Sequence, residues 1–272
     1  MPQKFKIGLI FPGIALLLVT FVYPLLMMVI PTFFSSSSSD GYVSFLSNQQ
    51  NQLVIFRTVT IALIATLIIL VMGIPTSIWL SKQLGFKKTL LMTLVVFPIL
   101  TNGVVRNYAW ITILGNNGIV NNLLKLLHLT QESVPLLYTD GSIVVGIVYL
   151  FLPIMIITLI GESEKLDPEL DNAALMLGTR PAKIFWKVTI PQLTTGIITG
   201  VTLVFVGALT AYTTPQILGG NRRLVMSTLL YQQAMTLGNW QSASVIATVM
   251  IVIALIVTLL LRQFQKRVDK RR

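Results

Sequence analysis

Residues 161–191 read GESEKLDPELDNAALMLGTRPAKIFWKVTIP, a charged and helix-prone insert between two long apolar segments. Five of the chain's nine acidic residues fall here (Glu162, Glu164, Asp167, Glu169, Asp171), with Arg180, Lys183 and Lys187 behind them. Ala173 and Ala174 are small enough to let another surface come close to a short helix. Gly178 can end that helix in a left-handed conformation, and Pro181 stands where a new helix can start. A plain hydrated hairpin between two membrane helices would also be charged. The small residues and the Gly–Pro punctuation instead predict an arm shaped to touch a partner.

The flanks decide what the arm is attached to. The chain is 54% hydrophobic and 11% charged, whereas soluble domains carry about a quarter charged residues. Apolar runs of about 20 residues span a bilayer as helix. Six such runs are found, about Ile7 to Ile30, Leu53 to Leu80, Leu90 to Leu114, Ser142 to Ile160, Thr195 to Leu218 and Ser242 to Leu261. The third and fifth are interrupted by polar, Gly or Pro positions. The predicted fold is therefore an all-α membrane protein of six transmembrane helices, with residues 1–272 as one transmembrane domain and the arm between helices 4 and 5.

Basic residues set the orientation. Fifteen of the twenty lie in one set of connections: Lys4 and Lys6; Lys82, Lys87 and Lys88; Lys165, Arg180, Lys183 and Lys187; and the tail from Arg262 to Arg272. Under the positive-inside rule both termini and the arm are cytoplasmic, and the basic tail reads as a lipid-headgroup anchor, with no nucleic-acid role. The first apolar run, about 24 residues from Ile7, exceeds the roughly 7 to 15 of a signal core and reads as a membrane helix. Thr32 to Gln52, with its serine run Ser35–Ser39, reads as a flexible external loop. Ser81 to Thr89 reads as a tight turn, and Asn121 to Leu129 and Leu224 to Met235 as short external helices. With no cysteine and a single histidine, His128, the chain offers no disulfide and no metal site.

Three blocks carry a resemblance to a known family. Asn172-Ala173-Ala174, three residues, Gly178, nine residues, then Val188-Thr189-Ile190-Pro191 resembles the EAA loop of ABC-importer permeases. The family pattern is Glu-Ala-Ala, three residues, Gly, nine residues, Ile, any residue, Leu-Pro, so Asn172, Val188 and Ile190 depart from it. Phe97 to Trp110 with Gly115 to Asn121 is similar to helix three and its loop in spermidine/putrescine permeases, and Thr214 to Gly220 is similar to the outer end of their helix five. The resemblance implies a type I importer permease with a core of about residues 53–261, set in a bacterial inner membrane. This chain would then form half of a translocation pathway. A second permease subunit, most simply in a heterodimer, would form the other half. ATPase subunits would dock on Asn172, Ala173, Ala174, Gly178, Val188 and Pro191, and a periplasmic or lipoprotein solute-binding protein would deliver solute. ATP and Mg would be bound on the ATPase, in keeping with the absence of a GxxxxGK[ST] loop here.

The resemblance also marks a candidate pathway of Asn102, Arg106, Tyr108, Trp110, Tyr212 and Gln216. Arg106 lies inside an apolar run, where a charge must face water, find a partner or snorkel outward. Gln216 stands near the position where the polyamine permeases would be expected to carry an acid, and no Asp or Glu occurs within the six runs. The solute implied is a polyamine. Another small organic solute or an anion is the alternative within the same importer group. A secondary carrier or channel is a more distant one, since it would need its own mid-membrane ionisable site. No catalytic set is present.

Overall fold

The computed structural model describes residues 12–34 and 41–269, and these are helical with no strand among them. The helices are α1 (Pro12–Phe33), α2 (Tyr42–Ser47), α3 (Gln49–Ser81), α4 (Gly85–Leu100), α5 (Gly103–Leu114), α6 (Ile119–Leu126), α7 (Asp140–Ser163), α8 (Pro168–Met176), α9 (Pro181–Gln192), α10 (Thr194–Thr210), α11 (Thr213–Leu218), α12 (Met226–Tyr231) and α13 (Trp240–Asp269). Four unbroken helices, α1, α3, α7 and α13, are long and apolar enough to cross a membrane. Two bent pairs bring the number to six if each pair is one crossing. Lys4, Lys6, the serines 35–39, Lys270, Arg271 and Arg272 lie outside the described residues.

The chain divides into two compact units. The smaller comprises residues 1–53 and 229–251. None of α1's apolar window is buried against other parts of the chain, as suits a helix whose neighbours are lipid or another subunit. The Tyr42 ring packs on Phe33 with centroids 5.2 Å apart, and the Tyr42 hydroxyl shares a 2.5 Å hydrogen bond with Thr32 Oγ1. The expected loop from Thr32 to Gln52 is thus partly helix. Asn48 Oδ1 accepts from the Gln50 amide at 2.9 Å, so the polar run Asn48 to Asn51 starts a membrane helix and does not end a loop.

The larger unit comprises residues 54–228 and 252–272, and α7 is its centre. Ile143, Val144 and Ile147 of α7 pack with Ile61, Ala62 and Ala65 of α3 and with Phe205, Ala208 and Leu209 of α10. One helical stretch further on, Met155 and Leu159 meet Ile69 and Val204. Near the arm, Ile156 and Ile160 meet Leu80, with α4 residues Leu91, Met92 and Val95 against them. Lipid-embedded helices gain no hydrophobic drive toward one another and rely on close packing at small residues. Met155 shows how this is met: a Cβ on Gly73 would stand 2.6 Å from Met155 Cγ, and one on Gly200 2.5 Å from its Sδ.

Both interrupted runs are corrected in detail. The run Leu90 to Leu114 is not one helix: α4 ends at Leu100, α5 begins at Gly103, and the stretch Gly103–Leu126 is bent by 97° from Gly85–Leu100. The run Thr195 to Leu218 stops at Thr210, passes through the extended Ala211, and restarts as α11. A further 72° bend separates α9 from α10.

Candidate functional site

The arm is built by local chemistry at each junction. Asp167 caps α8, its Oδ1 accepting the Glu169 amide at 2.9 Å, with Pro168 in the first turn. Glu169 and Asp171 in that turn complement the helix dipole. At the other end Gly178 takes φ +75°. Its amide donates to the Leu175 carbonyl at 2.9 Å and the Thr179 amide to Ala174 at 3.1 Å, the paired bonds of a Schellman turn. Arg180 is extended, as a residue before proline must be, and Pro181 opens α9. The expectation of a left-handed stop at Gly178 and a fresh start at Pro181 therefore holds.

The six arm residues separate into two sets. Asn172, Ala173 and Gly178 are exposed and Ala174 is half-buried, whereas Val188 and Pro191 are half-buried in α9. Around the first set stand Met176, 92% exposed, and Leu177, 85% exposed. These apolar side chains stand open on an otherwise charged arm. Beneath α8 lies a cavity of about 450 Å³ whose lining includes Lys82, Glu164, Asp167 and Asp171. Lys88 Nζ meets Glu164 Oε1 at 2.6 Å and ties α4 to the end of α7.

The candidate pathway residues gather at the breaks in the two interrupted runs, where α5 and α11 pack on each other. Asn102 is the N-cap of α5, its Oδ1 accepting from the amides of Val104 at 2.8 Å and Val105 at 3.4 Å. Arg106 reaches backward, Nη1 donating to the Pro98 carbonyl at 2.9 Å and approaching Thr101 O at 3.5 Å. Trp110, one turn further on, sits edge-on to Tyr149 of α7 with centroids 5.6 Å apart. Tyr108 lies on another side of α5 and is 60% exposed. Tyr212 precedes α11 at the second break, and Gln216 is half-buried one turn into it.

Sequence reading missed two features. Asn107 is fully buried, its Nδ2 donating to Gly103 O at 2.8 Å. It sits where α5, α7 and α11 converge: a Cβ on Gly146 would stand 2.5 Å from Thr214 Cγ2 and 3.9 Å from Asn107 Oδ1. At the end of α7 away from the arm, Asp140 is approached by Arg57 at 3.4 Å and Arg223 at 3.8 Å, while Arg57 also donates to Leu224 O at 3.0 Å. These partners are far apart in sequence, and no local pattern pairs them.

Known proteins place this architecture. The chain is 31% identical to the spermidine/putrescine transport system permease protein PotB of Haemophilus influenzae over 90% of its own length and 87% of the relative's. It is 29% identical to PotB of Escherichia coli, covering 82% of this chain and 84% of that one, and 24% identical to the molybdenum transport system permease protein ModB of Mycobacterium tuberculosis, covering 79% and 80%. The fold matches a solved bacterial ABC transporter involved in the import of the acidic polysaccharide alginate, with a TM-score of 0.80 at 17% identity over 97% of this chain and 96% of that one. The profile of the family described as "Binding-protein-dependent transport system inner membrane component" matches residues 59–272. The chain belongs to that family, as a permease subunit of an ABC importer in the membrane and not itself an enzyme.

Proposed function

We propose that this permease carries a polyamine of the spermidine/putrescine class inward across a bacterial inner membrane. The observation that carries the solute assignment is identity of 29–31% to PotB proteins along more than four fifths of the chain. Aromatic faces attract cations without a carboxylate, and the edge-on pair Trp110–Tyr149 beside the break, with Tyr212 and Gln216 at the neighbouring one, supplies such a lining. Residues 1–272 form one permease domain with its core at about 53–261. It crosses the membrane six times, with both termini and the arm in the cytoplasm. A second, similar permease completes the pathway, and a periplasmic or lipoprotein binding protein presents the solute. Separate ATPase subunits, which hold ATP and Mg, dock on Asn172, Ala173, Ala174 and Gly178, with Val188 and Pro191 supporting that surface from α9.

One observation favours a second reading, an anion or another small organic solute. Gln216 is neutral, and no acid stands in the apolar runs to offset a cation's charge. Uptake of labelled spermidine and of candidate anions by the reconstituted importer separates the two, with Gln216→Glu as the probe. The polyamine reading expects spermidine uptake by the wild type and a severalfold gain from the added carboxylate, by attraction in a low-dielectric site. Spermidine uptake at background, together with anion uptake that Gln216→Glu depresses, would overturn it.

A further inference from the structure

We infer that the third span is a two-state element, bent or straight, and that Arg106 and Asn102 are positioning residues that hold the bent form. The inference needs only that the chain is an importer permease, and it is independent of which solute passes.

A broken helix leaves carbonyls at one end and amides at the other without partners. In an apolar span these groups must be satisfied by protein. At this break side chains take both sets, and the Pro98 carbonyl accepts from Thr101 Oγ1 at 2.8 Å as well as from Arg106. Asn102 Oδ1 accepts from the Val104 and Val105 amides, and the Arg106 guanidinium donates to the carbonyl of Pro98 and approaches that of Thr101. A cation there also meets the negative end of the α4 dipole.

The groups taken are those an unbroken helix would join. With amide-to-carbonyl bonds running four residues back, a continuous span would pair the Asn102 amide with Pro98 O and the Val105 amide with Thr101 O. Arg106 bonds the Pro98 carbonyl beside Thr101 Oγ1 and approaches the Thr101 carbonyl, and Asn102 takes the Val104 and Val105 amides. The Val104 and Val105 amides have one proton each, so they bond either Asn102 Oδ1 in the bent form or the carbonyls four residues back in the straight one, while Arg106 adds a charged donor that favours the bent form. An element of that kind has two discrete arrangements, which a transporter that alternates its access requires. Its cap residues lie within one α-helical turn of each other, so release of either weakens the hold of both.

The absence of cysteine makes the test clean. Leu94→Cys and Ala109→Cys, both at exposed positions flanking the break, are spin-labelled in the assembled importer in nanodiscs and their separation is measured by pulsed EPR. A straight helix would set these Cα atoms about 22 Å apart, and the break between Leu100 and Gly103 holds them closer. Arg106→Met is expected to shift the bent-to-straight ratio toward the longer distance by about tenfold or more, as for loss of a hydrogen bond from a charged donor. Arg106→Gln, a neutral donor, should fall between. Asn102→Ala should move the ratio in the same direction from the opposite cap. Transport rates should follow the same order for every solute, with the apparent KM unchanged. Distance distributions identical to wild type in Arg106→Met and Asn102→Ala would overturn the inference. So would a loss in Arg106→Gln that equals Arg106→Met for one solute and vanishes for another, the mark of a charge that solute meets.

Discussion

α8, capped past its end by Gly178, and α4, which ends at Leu100, leave the same kind of unpaired carbonyl, yet only the first closes them with backbone. At the arm, Gly178 and Thr179 amides turn back onto Leu175 and Ala174, and the turn is fixed by one residue's freedom to adopt φ +75°. At the break, the Pro98 carbonyl is closed by side chains, Thr101 Oγ1 at 2.8 Å and Arg106 Nη1 of the next helix at 2.9 Å. Backbone closure is rigid and local, and it suits a lever that must transmit motion without yielding. Closure by a side chain can be undone, which suits a joint. On the proposed reading, the stiff turn lies where the ATPase docks and the releasable one within the span.

The largest effect is expected at the stiff turn. A Cβ on residue 178 would meet nothing of this chain within 4 Å, so within the permease Gly178→Val acts through the backbone, and at the proposed docking surface it adds bulk. A β-branched residue at positive φ is strained by about 1–3 kcal/mol, enough to remodel a nine-residue helix end. Co-purification of the ATPase, or binding-protein-stimulated ATP hydrolysis, should be abolished while membrane insertion stays normal. Gly178→Asn, which tolerates the left-handed region, should retain both. Full coupling in Gly178→Val would reduce the arm to a connector and remove the contrast between the two turns.

A small effect sharpens the same contrast. Lys88 and Glu164 pair at 2.6 Å but remain 31% and 45% exposed, and ion pairs of that kind contribute about 0–1 kcal/mol. Lys88→Ala should leave the thermal midpoint of the purified protein within a few degrees of wild type and ATPase coupling intact. A large fall in either would show that the arm's geometry depends on its charge tether and not on the Gly178 turn.

The arm was legible in the sequence because its determinants are neighbours: Asp167 before Pro168, Gly178 after the helix, Pro181 opening the next. The break was legible only as an interruption. Pro98 and Gly103 announced irregularity, but an arginine in an apolar run reads equally as pathway lining or as a snorkelling anchor. Its acceptor, a carbonyl eight residues back, comes within reach only once the chain has turned. Asn48 to Asn51 misled for a related reason, since polar residues that begin a helix carry the composition of a loop. The pairing of Arg57 and Arg223 with Asp140 joins three separate stretches, and a single sequence holds no signal for it.

Photocrosslinking from position 173 tests the central claim, that the exposed face of α8 is where the ATPase docks. A benzophenone amino acid replaces Ala173, which is exposed on that face, and the assembled importer is irradiated in membranes. The account predicts an adduct with the ATPase subunit from this position and none from the same probe at Tyr108, at the break in the third span. Efficient capture of the ATPase from position 108, or of lipid alone from position 173, would contradict it.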